Sequence, residues 1–290
     1  MTPAPSLDAL ARPSGGLAMV AMDQRESLRH MFDQAGAGRP PDRVLIDFKR
    51  AVAEILGPQA SGFLIDRHYG FDEIRGDLPP SAGLILAVDD LVQEPGGPVE
   101  DTGLDETALG QDLSGVAALK LLIIWRRDDR REARVNLARR FVAAARERGL
   151  LSVLEPVVRP AAGENDFDTE AAIREAAREL SPLGQSLYKV QVPLGGRGTE
   201  AELRRACEAL AGDITGPWVV LSQGVDRADF CRAVGAACRA GASGFLAGRA
   251  LWSDIVGAAD VPARLREVSR PRLEELAAVV DAEARPWRQA

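Results

Sequence analysis

Eight short apolar runs, each separated from the next by a longer amphipathic or polar stretch, constrain this chain more than any other feature. They fall at 16–23 (GLAMVAMD), 61–67 (SGFLIDR), 83–90, 118–126 (ALKLLIIWR), 150–158, 186–193 (SLYKVQVP), 217–224 and 243–249. None alternates apolar and polar residues. Each is a nearly continuous aliphatic run, as expected of strands covered on both faces. Between them the spacing predicts helices over 42–56, 129–148, 168–180, 199–211, 226–240 and about 260–282. The segment 129–148 opens on acids and closes on basic residues before Gly149, an order that suits the helix dipole and a glycine C-cap. Asp168 and Asp226 stand where N-caps are expected. Buried parallel strands alternating with helices imply an α/β fold, a TIM (β/α)8 barrel formed as one domain over 1–290. The rival, a doubly wound open sheet, is disfavoured because no GxGxxG follows the first run and no change of composition marks a second domain. The stretch 91–115, rich in Gly, Pro and acids, reads as a long polar loop or irregular helix.

The length of 290 residues suits one such barrel, and 46% hydrophobic content provides its core. A net charge of -7 argues against nucleic-acid binding, which needs a basic surface. It leaves room for a local basic pocket. No run approaches the roughly 20 apolar residues of a membrane helix. The N-terminus lacks a basic region followed by an apolar one, so a cytoplasmic protein is expected. Cys207, Cys231 and Cys238 have no metal-type spacing and read as buried free thiols.

In a barrel of this kind the chemistry lies at the C-terminal strand ends. Those ends carry Asp23-Gln24-Arg25, Asp66-Arg67, Asp89-Asp90, Trp125-Arg126, Glu155, Lys189, Ser222-Gln223-Gly224 and Gly248-Arg249. So many polar groups in or beside apolar runs point to one site rather than to scattered ion pairs. Lys189 sits within an apolar run, where desolvation favours the neutral amine that a Schiff-base nucleophile needs. Lys120 is a second such lysine, whose charge would depress Lys189 further. Either lysine is also readable as snorkelling to the mouth or pairing with Asp23 or Glu155. Glu155 can shuttle a proton in C–C cleavage, or simply partner a buried lysine. Ser222, Gly224, Gly248 and Arg249 end the last two runs, where such barrels commonly bind phosphate. Metal chemistry is disfavoured: His30 and His68 form neither HxH nor HExxH. Magnesium on Asp23, Asp66, Asp89 and Glu155 would compete with the two lysines.

The strings SGGLAMVAMDQRESLRHMF, LKLLIIWR, LEPVVRP, LYKVQVPLGGRG, PWVVLSQGVD and AGASGFLAGRALW resemble the class I aldolases that include tagatose-1,6-bisphosphate aldolase and sulfofructosephosphate aldolase, over about residues 13–282. The resemblance implies Lys189 as the Schiff-base residue and Glu155 as the proton shuttle. It implies Lys120, Asp23 and Gln24 around the imine and substrate hydroxyls, and Ser222, Gly224, Gly248 and Arg249 on a C1 phosphate. It implies no cofactor, a phosphorylated sugar as substrate, dihydroxyacetone phosphate as a product, and a homo-oligomer. Gln191 stands where the family usually has glutamate and, by strand alternation, points the same way as Lys189. Gln191 is also the one feature that favours a non-catalytic, metabolite-binding regulatory paralogue. Blocks around the first, fourth, fifth and eighth strands look closest to sulfofructosephosphate aldolase, whereas 66–70 and Pro286-Trp287 look more like the tagatose enzymes. The anion at C6 has Arg25, Arg67, Arg126, Arg159 and Arg197 as unranked candidate partners, each equally readable as a solvated surface charge.

Overall fold

All eight apolar runs form strands, and they close into a barrel. The computed structural model describes residues 5–290. In chain order the strands are β1 (Leu17–Met22), β2 (Gly62–Asp66), β3 (Gly83–Ala87), β4 (Asp89–Gln93), β5 (Val99–Leu104), β6 (Val116–Trp125), β7 (Leu151–Val158), β8 (Leu187–Gln191), β9 (Trp218–Leu221) and β10 (Gly244–Ala247). Eight of them, in the order β1-β10-β9-β8-β7-β6-β3-β2, make the closed parallel barrel, while β4 and β5 pair antiparallel as a separate hairpin. Helices cover the barrel at Asp42–Leu56, Arg131–Glu147, Thr169–Leu180, Glu200–Ala211, Arg227–Arg239 and Arg270–Glu283.

The continuous apolar character of the strands follows from this arrangement. Alternate residues fill the interior (Leu17, Met19, Leu64, Ile85, Val153, Leu187, Val219 and Leu246), and those between them pack outward beneath the helices. A short turn at Leu7–Leu10 plugs the N-terminal end, with Leu7 and Leu10 inside the interior cluster. Because the floor is closed and apolar, polar side chains have only the C-terminal mouth available.

The hairpin corrects the expectation for 91–115. Its turn runs from Glu94 to Gly97, closed by Gly97 N–H donating to the Glu94 carbonyl at 2.9 Å, with Pro95 second and Gly96 third at φ +75°. That is the residue order of a type II turn. Pro95, Gly96, Gly97 and Pro98 mark this tight turn rather than a long loop, and the short helix Glu106–Gly110 follows β5. Asp168 caps its helix by accepting from Ala171 N–H, whereas Asp226 occupies the N-cap position without a side-chain bond. Cys207 and Cys238 are buried but Cys231 is only half-buried. All three are free, and burial pushes their thiols up to about 12, 12 and 11 respectively.

One glycine tests how tightly the barrel closes. Gly244 begins β10 at φ +138°, and a Cβ there would lie 2.0 Å from the Leu17 carbonyl oxygen on β1. Gly244→Ala is expected to cost at least about 2 kcal/mol, from backbone strain together with overpacking. Urea denaturation measures it, and a midpoint equal to wild type would contradict the closure geometry.

Candidate active site

The C-terminal mouth holds a cavity of about 330 Å³ whose walls bring together Asp23, Gln24, Lys120, Glu155, Lys189, Ser222, Gly248 and Arg249. Strand parity accounts for the convergence. Asp23 continues the inward set Leu17, Met19 and Ala21 of β1; Lys120 follows Ala118 on β6; Glu155 follows Val153 on β7; Lys189 follows Leu187 on β8. These four therefore form the polar layer directly above the apolar floor. The β7–β8 pairing ends at Leu154–Tyr188. Pro156, which has no N–H to give, follows at that point, and Glu155 and Lys189 face one another where the wall opens.

A single carboxylate joins two buried lysines. Glu155 Oε1 lies 2.8 Å from Lys189 Nζ and its Oε2 lies 2.9 Å from Lys120 Nζ. Lys120 also donates to Asp23 Oδ2 and Asp89 Oδ2, each at 2.8 Å. An ammonium has three N–H donors, and here three carboxylates meet it. Burial opposes the Lys120 charge, but Asp23, Asp89 and Glu155 outweigh it and raise its pKa well above the usual lysine range. Burial likewise pushes Asp23 up, yet Lys120 and then Lys189 hold it well below the usual aspartate range. The signs agree on a window. Asp23's contribution to stability is lost only as pH falls through its depressed value, and that of Lys120 only as pH rises through its raised one. The pair therefore keeps full strength from about pH 5 to about pH 9.

Asp89 is part of this network although the sequence reading left it out of the site proper. It accepts from Lys120, from the Leu122 N–H at 3.2 Å and from Arg25 at 2.8 Å. Its signal was present in the sequence: Asp89 stands two residues beyond inward Ala87, on the same parity. Asp66, by contrast, is absent from the cavity. It is fully buried against Lys49 of the helix Asp42–Leu56 and accepts from the His68 and Tyr69 backbone N–H groups at 2.9 and 3.0 Å. The carboxylates that might have held magnesium are thus committed to lysines. Among the described residues no group of three or more His, Cys, Asp or Glu side chains is placed to hold a metal ion.

Two further expectations change. Gln191 does not line the main cavity. Its Oε1 accepts from the Val158 N–H at 2.8 Å, and the side chain borders a neighbouring cavity with Glu170, Arg197 and Gly224. Beyond Leu154–Tyr188 the strands diverge, and the free Val158 N–H captures the amide before alternation can carry it to Lys189. Gly224, at φ +81°, borders that second cavity rather than the first. Gly248 lines the main cavity and is also needed for packing, since a Cβ there would lie 2.5 Å from the Ala21 carbonyl oxygen.

Of the arginines near the mouth, Arg25 is paired with Asp89, Arg67 with Asp105 at 2.6 Å and Arg126 with Glu100 at 2.5 Å. Arg197 is exposed beside the second cavity. Arg159 and Arg249 line the main cavity, and neither has an ion-pair partner among the described residues. His30 lies beside the hairpin turn, with Nδ1 3.3 Å from the Cβ position of Gly96. Burial, Arg25 and Arg67 lower the pKa of His68, which sits near Asp105.

Known proteins share this architecture. The family described as DeoC/LacD family aldolase matches residues 17–254. A tagatose 1,6-diphosphate aldolase of Listeria monocytogenes is 27% identical, covering 97% of this chain and 92% of its own length. The tagatose 1,6-diphosphate aldolase 2 of Streptococcus pyogenes is 26% identical, with coverages of 94% and 93%. The fold is shared with a fructose-bisphosphate aldolase from Plasmodium falciparum, at a TM-score of 0.72 and 15% identity over 96% of this chain and 93% of that one. No helix among the described residues is long and apolar enough to cross a membrane. With the matched region spanning every barrel strand, the chain belongs to the DeoC/LacD family of class I aldolases.

Proposed function

We propose that this aldolase reversibly cleaves a ketose 1-phosphate to dihydroxyacetone phosphate and an aldehyde, through a Schiff base on Lys189. The observation that carries the reading is the Glu155 carboxylate shared between Lys189 and Lys120 inside the mouth cavity. Lys120, fixed by three carboxylates, is a permanent cation, whereas Glu155 is the only ion-pair partner of Lys189 among the described residues. That division leaves Lys189 as the amine placed to attack the C2 carbonyl. Loss of water yields a protonated imine. Glu155 then takes the C4 hydroxyl proton, the C3–C4 bond breaks, and its electron pair flows into the iminium to give an enamine as the aldehyde departs. Protonation at C3 and hydrolysis release dihydroxyacetone phosphate and restore the amine. The iminium is the electron sink, so the reading calls for no cofactor. Gln24 supports a hydroxyl-bearing ligand here, because its Oε1 is buried at the cavity without a hydrogen-bond partner. Ser222, Gly248 and Arg249 offer the C1 phosphate a hydroxyl, an unobstructed backbone and a guanidinium.

Sulfofructose 1-phosphate, giving sulfolactaldehyde, is the substrate we favour, on the resemblance of the blocks at the first, fourth, fifth and eighth barrel strands. Tagatose 1,6-bisphosphate is the second reading, favoured by the names of the relatives from Listeria and Streptococcus. Intact mass after borohydride reduction with dihydroxyacetone phosphate tests the mechanism common to both. An adduct is expected on the wild type and none on Lys189→Ala. An unmodified wild type, or an adduct that persists in the variant, would overturn the assignment.

A further inference from the structure

The Asp23-Gln24-Arg25 stretch after β1 reaches the site at three points, and the Schiff-base chemistry accounts for only two of them. Asp23 accepts from Lys120, and Gln24 presents its Oε1 to the cavity. Arg25 also lines the cavity, but its guanidinium is spent on Asp89. Nη2 donates to Asp89 Oδ1 at 2.8 Å, and Nη1 donates to the Asp89 carbonyl at 2.9 Å. A planar fork that grips the side chain and the main chain of one residue fixes its position and its direction together.

Asp89 passes that constraint on to Lys120. It is buried at the root of the β4–β5 hairpin, and its Oδ2 accepts from Lys120 Nζ at 2.8 Å and from the Leu122 N–H at 3.2 Å. Just before it, the Val88 N–H donates to the Lys120 carbonyl at 2.9 Å. A closed ring results. Asp23 holds Lys120, Lys120 meets Asp89, Asp89 meets Arg25, and Arg25 returns to Asp23 through Gln24. The bonds of an ammonium nitrogen are tetrahedral, so anchoring two N–H groups at Asp23 and Asp89 settles where the third can point. The carboxylate that remains for the third is Glu155, whose Oε2 lies 2.9 Å from Nζ. With Oε2 held there, Oε1 is left for Lys189 at 2.8 Å and, once Lys189 has bonded to C2, for the substrate.

We propose that Asp89 is a positioning residue for bond cleavage: clamped by Arg25, it sets the Lys120 ammonium so that Glu155 keeps one oxygen toward the C4 hydroxyl. The inference rests on the Schiff-base reading above, in which Glu155 takes that hydroxyl proton. It makes Arg25 the outer clamp of Asp89 rather than a contact to the substrate. The place calls for a carboxylate, because each oxygen must accept from a different cation. An asparagine has a single oxygen. Either orientation of its amide sets N–H groups against Lys120 and Leu122, or against Arg25.

The test measures kcat and KM for cleavage of tagatose 1,6-bisphosphate and of sulfofructose 1-phosphate by wild type, Asp89→Asn, Arg25→Met, Arg25→Lys and the double variant Asp89→Asn/Arg25→Met. Asp89→Asn is expected to lose roughly 10- to 100-fold in kcat with KM within about threefold, since a misplaced base costs the chemical step and not binding. Arg25→Met should lose less, roughly 3- to 10-fold in kcat, because Asp89 keeps Lys120 and Leu122, and Arg25→Lys should recover part of that loss. Since Arg25 acts through Asp89, the double variant should fall no further than Asp89→Asn. Losses that multiply would show Arg25 acting on the substrate itself and would overturn the clamp. A rise in KM as large as the fall in kcat would reduce Asp89 to a support for the hairpin, whose Leu91, Pro98 and Val99 line the same cavity, and would overturn the positioning role. If Asp89→Asn does not fold, Arg25→Met carries the test, and an unchanged kcat there overturns the proposal. Borohydride trapping with dihydroxyacetone phosphate, which has no C4 hydroxyl, separates the two layers. A wild type without an adduct removes the Schiff-base reading and the positioning role together. An adduct on wild type and on Asp89→Asn, with kcat unchanged in the variant, removes the positioning role alone.

Discussion

A Glu155→Gln enzyme is expected to lose roughly 10²- to 10⁴-fold in kcat for cleavage, the range that a positioned general acid–base supplies, while still forming a borohydride-trapped adduct with dihydroxyacetone phosphate. Glutamine has nearly the same shape and can still accept a hydrogen bond. Lys120 would keep Asp23 and Asp89, each at 2.8 Å, so the cationic wall of the cavity would survive the substitution. On the proposed mechanism, what disappears is the base that takes the C4 hydroxyl proton. Adduct formation involves C2, whereas bond cleavage requires that proton transfer, so trapping and turnover should separate. A merely structural glutamate would behave differently, with loss of the adduct and of stability together. Cleavage within about threefold of wild type would rule out the shuttle role.

Much of this site was legible because barrel strands translate sequence parity directly into direction. Lys120 and Lys189 interrupt apolar runs, and a charge in such a run must find the mouth or a partner; in the barrel each does both. Glu155 is marked by its place at the end of the apolar run 150–154, directly before Pro156. Partnerships were less legible, because they depend on which strands separate and which helix crosses the rim. Gln191 has the parity of Lys189, but it sits where β7 and β8 diverge, and a backbone N–H two strand residues beyond Pro156 claims it. The hairpin β4–β5 escaped notice because only five or six residues lie on each side of its turn, and solvent wets much of them. The five arginines proposed for the distal anion could not be ranked without the acids that neutralise three of them.

Asp66 is the most instructive misplacement, and it makes the second large prediction. The sequence places it among the strand-end acids of the site, yet it is fully buried against Lys49, with Arg25 Nε 4.0 Å away. The helix pattern did hold a clue: Leu45, Phe48, Lys49, Val52, Ala53 and Leu56 are all buried, so Lys49 occupies a slot in the apolar stripe where a hydrophobic residue would ordinarily lie. Burial pushes the Lys49 pKa down and Asp66 works against that push. Lys49→Met should therefore fit the stripe and still cost roughly 3–5 kcal/mol, because it strands a buried carboxylate. Adding Asp66→Asn should recover most of the loss. Asparagine removes the charge but keeps an oxygen for the His68 and Tyr69 N–H groups, which Asp66→Leu would leave unsatisfied. Urea denaturation of both single variants and the double variant measures the coupling. Because the pair stands outside the cavity, every variant that remains folded should still trap dihydroxyacetone phosphate at Lys189. A double variant no more stable than Lys49→Met would show that the cost lies in the lost lysine contacts instead. Loss of trapping in folded Lys49→Met would return this pair to the site, acting through the charge that Lys49 already exerts on Asp23.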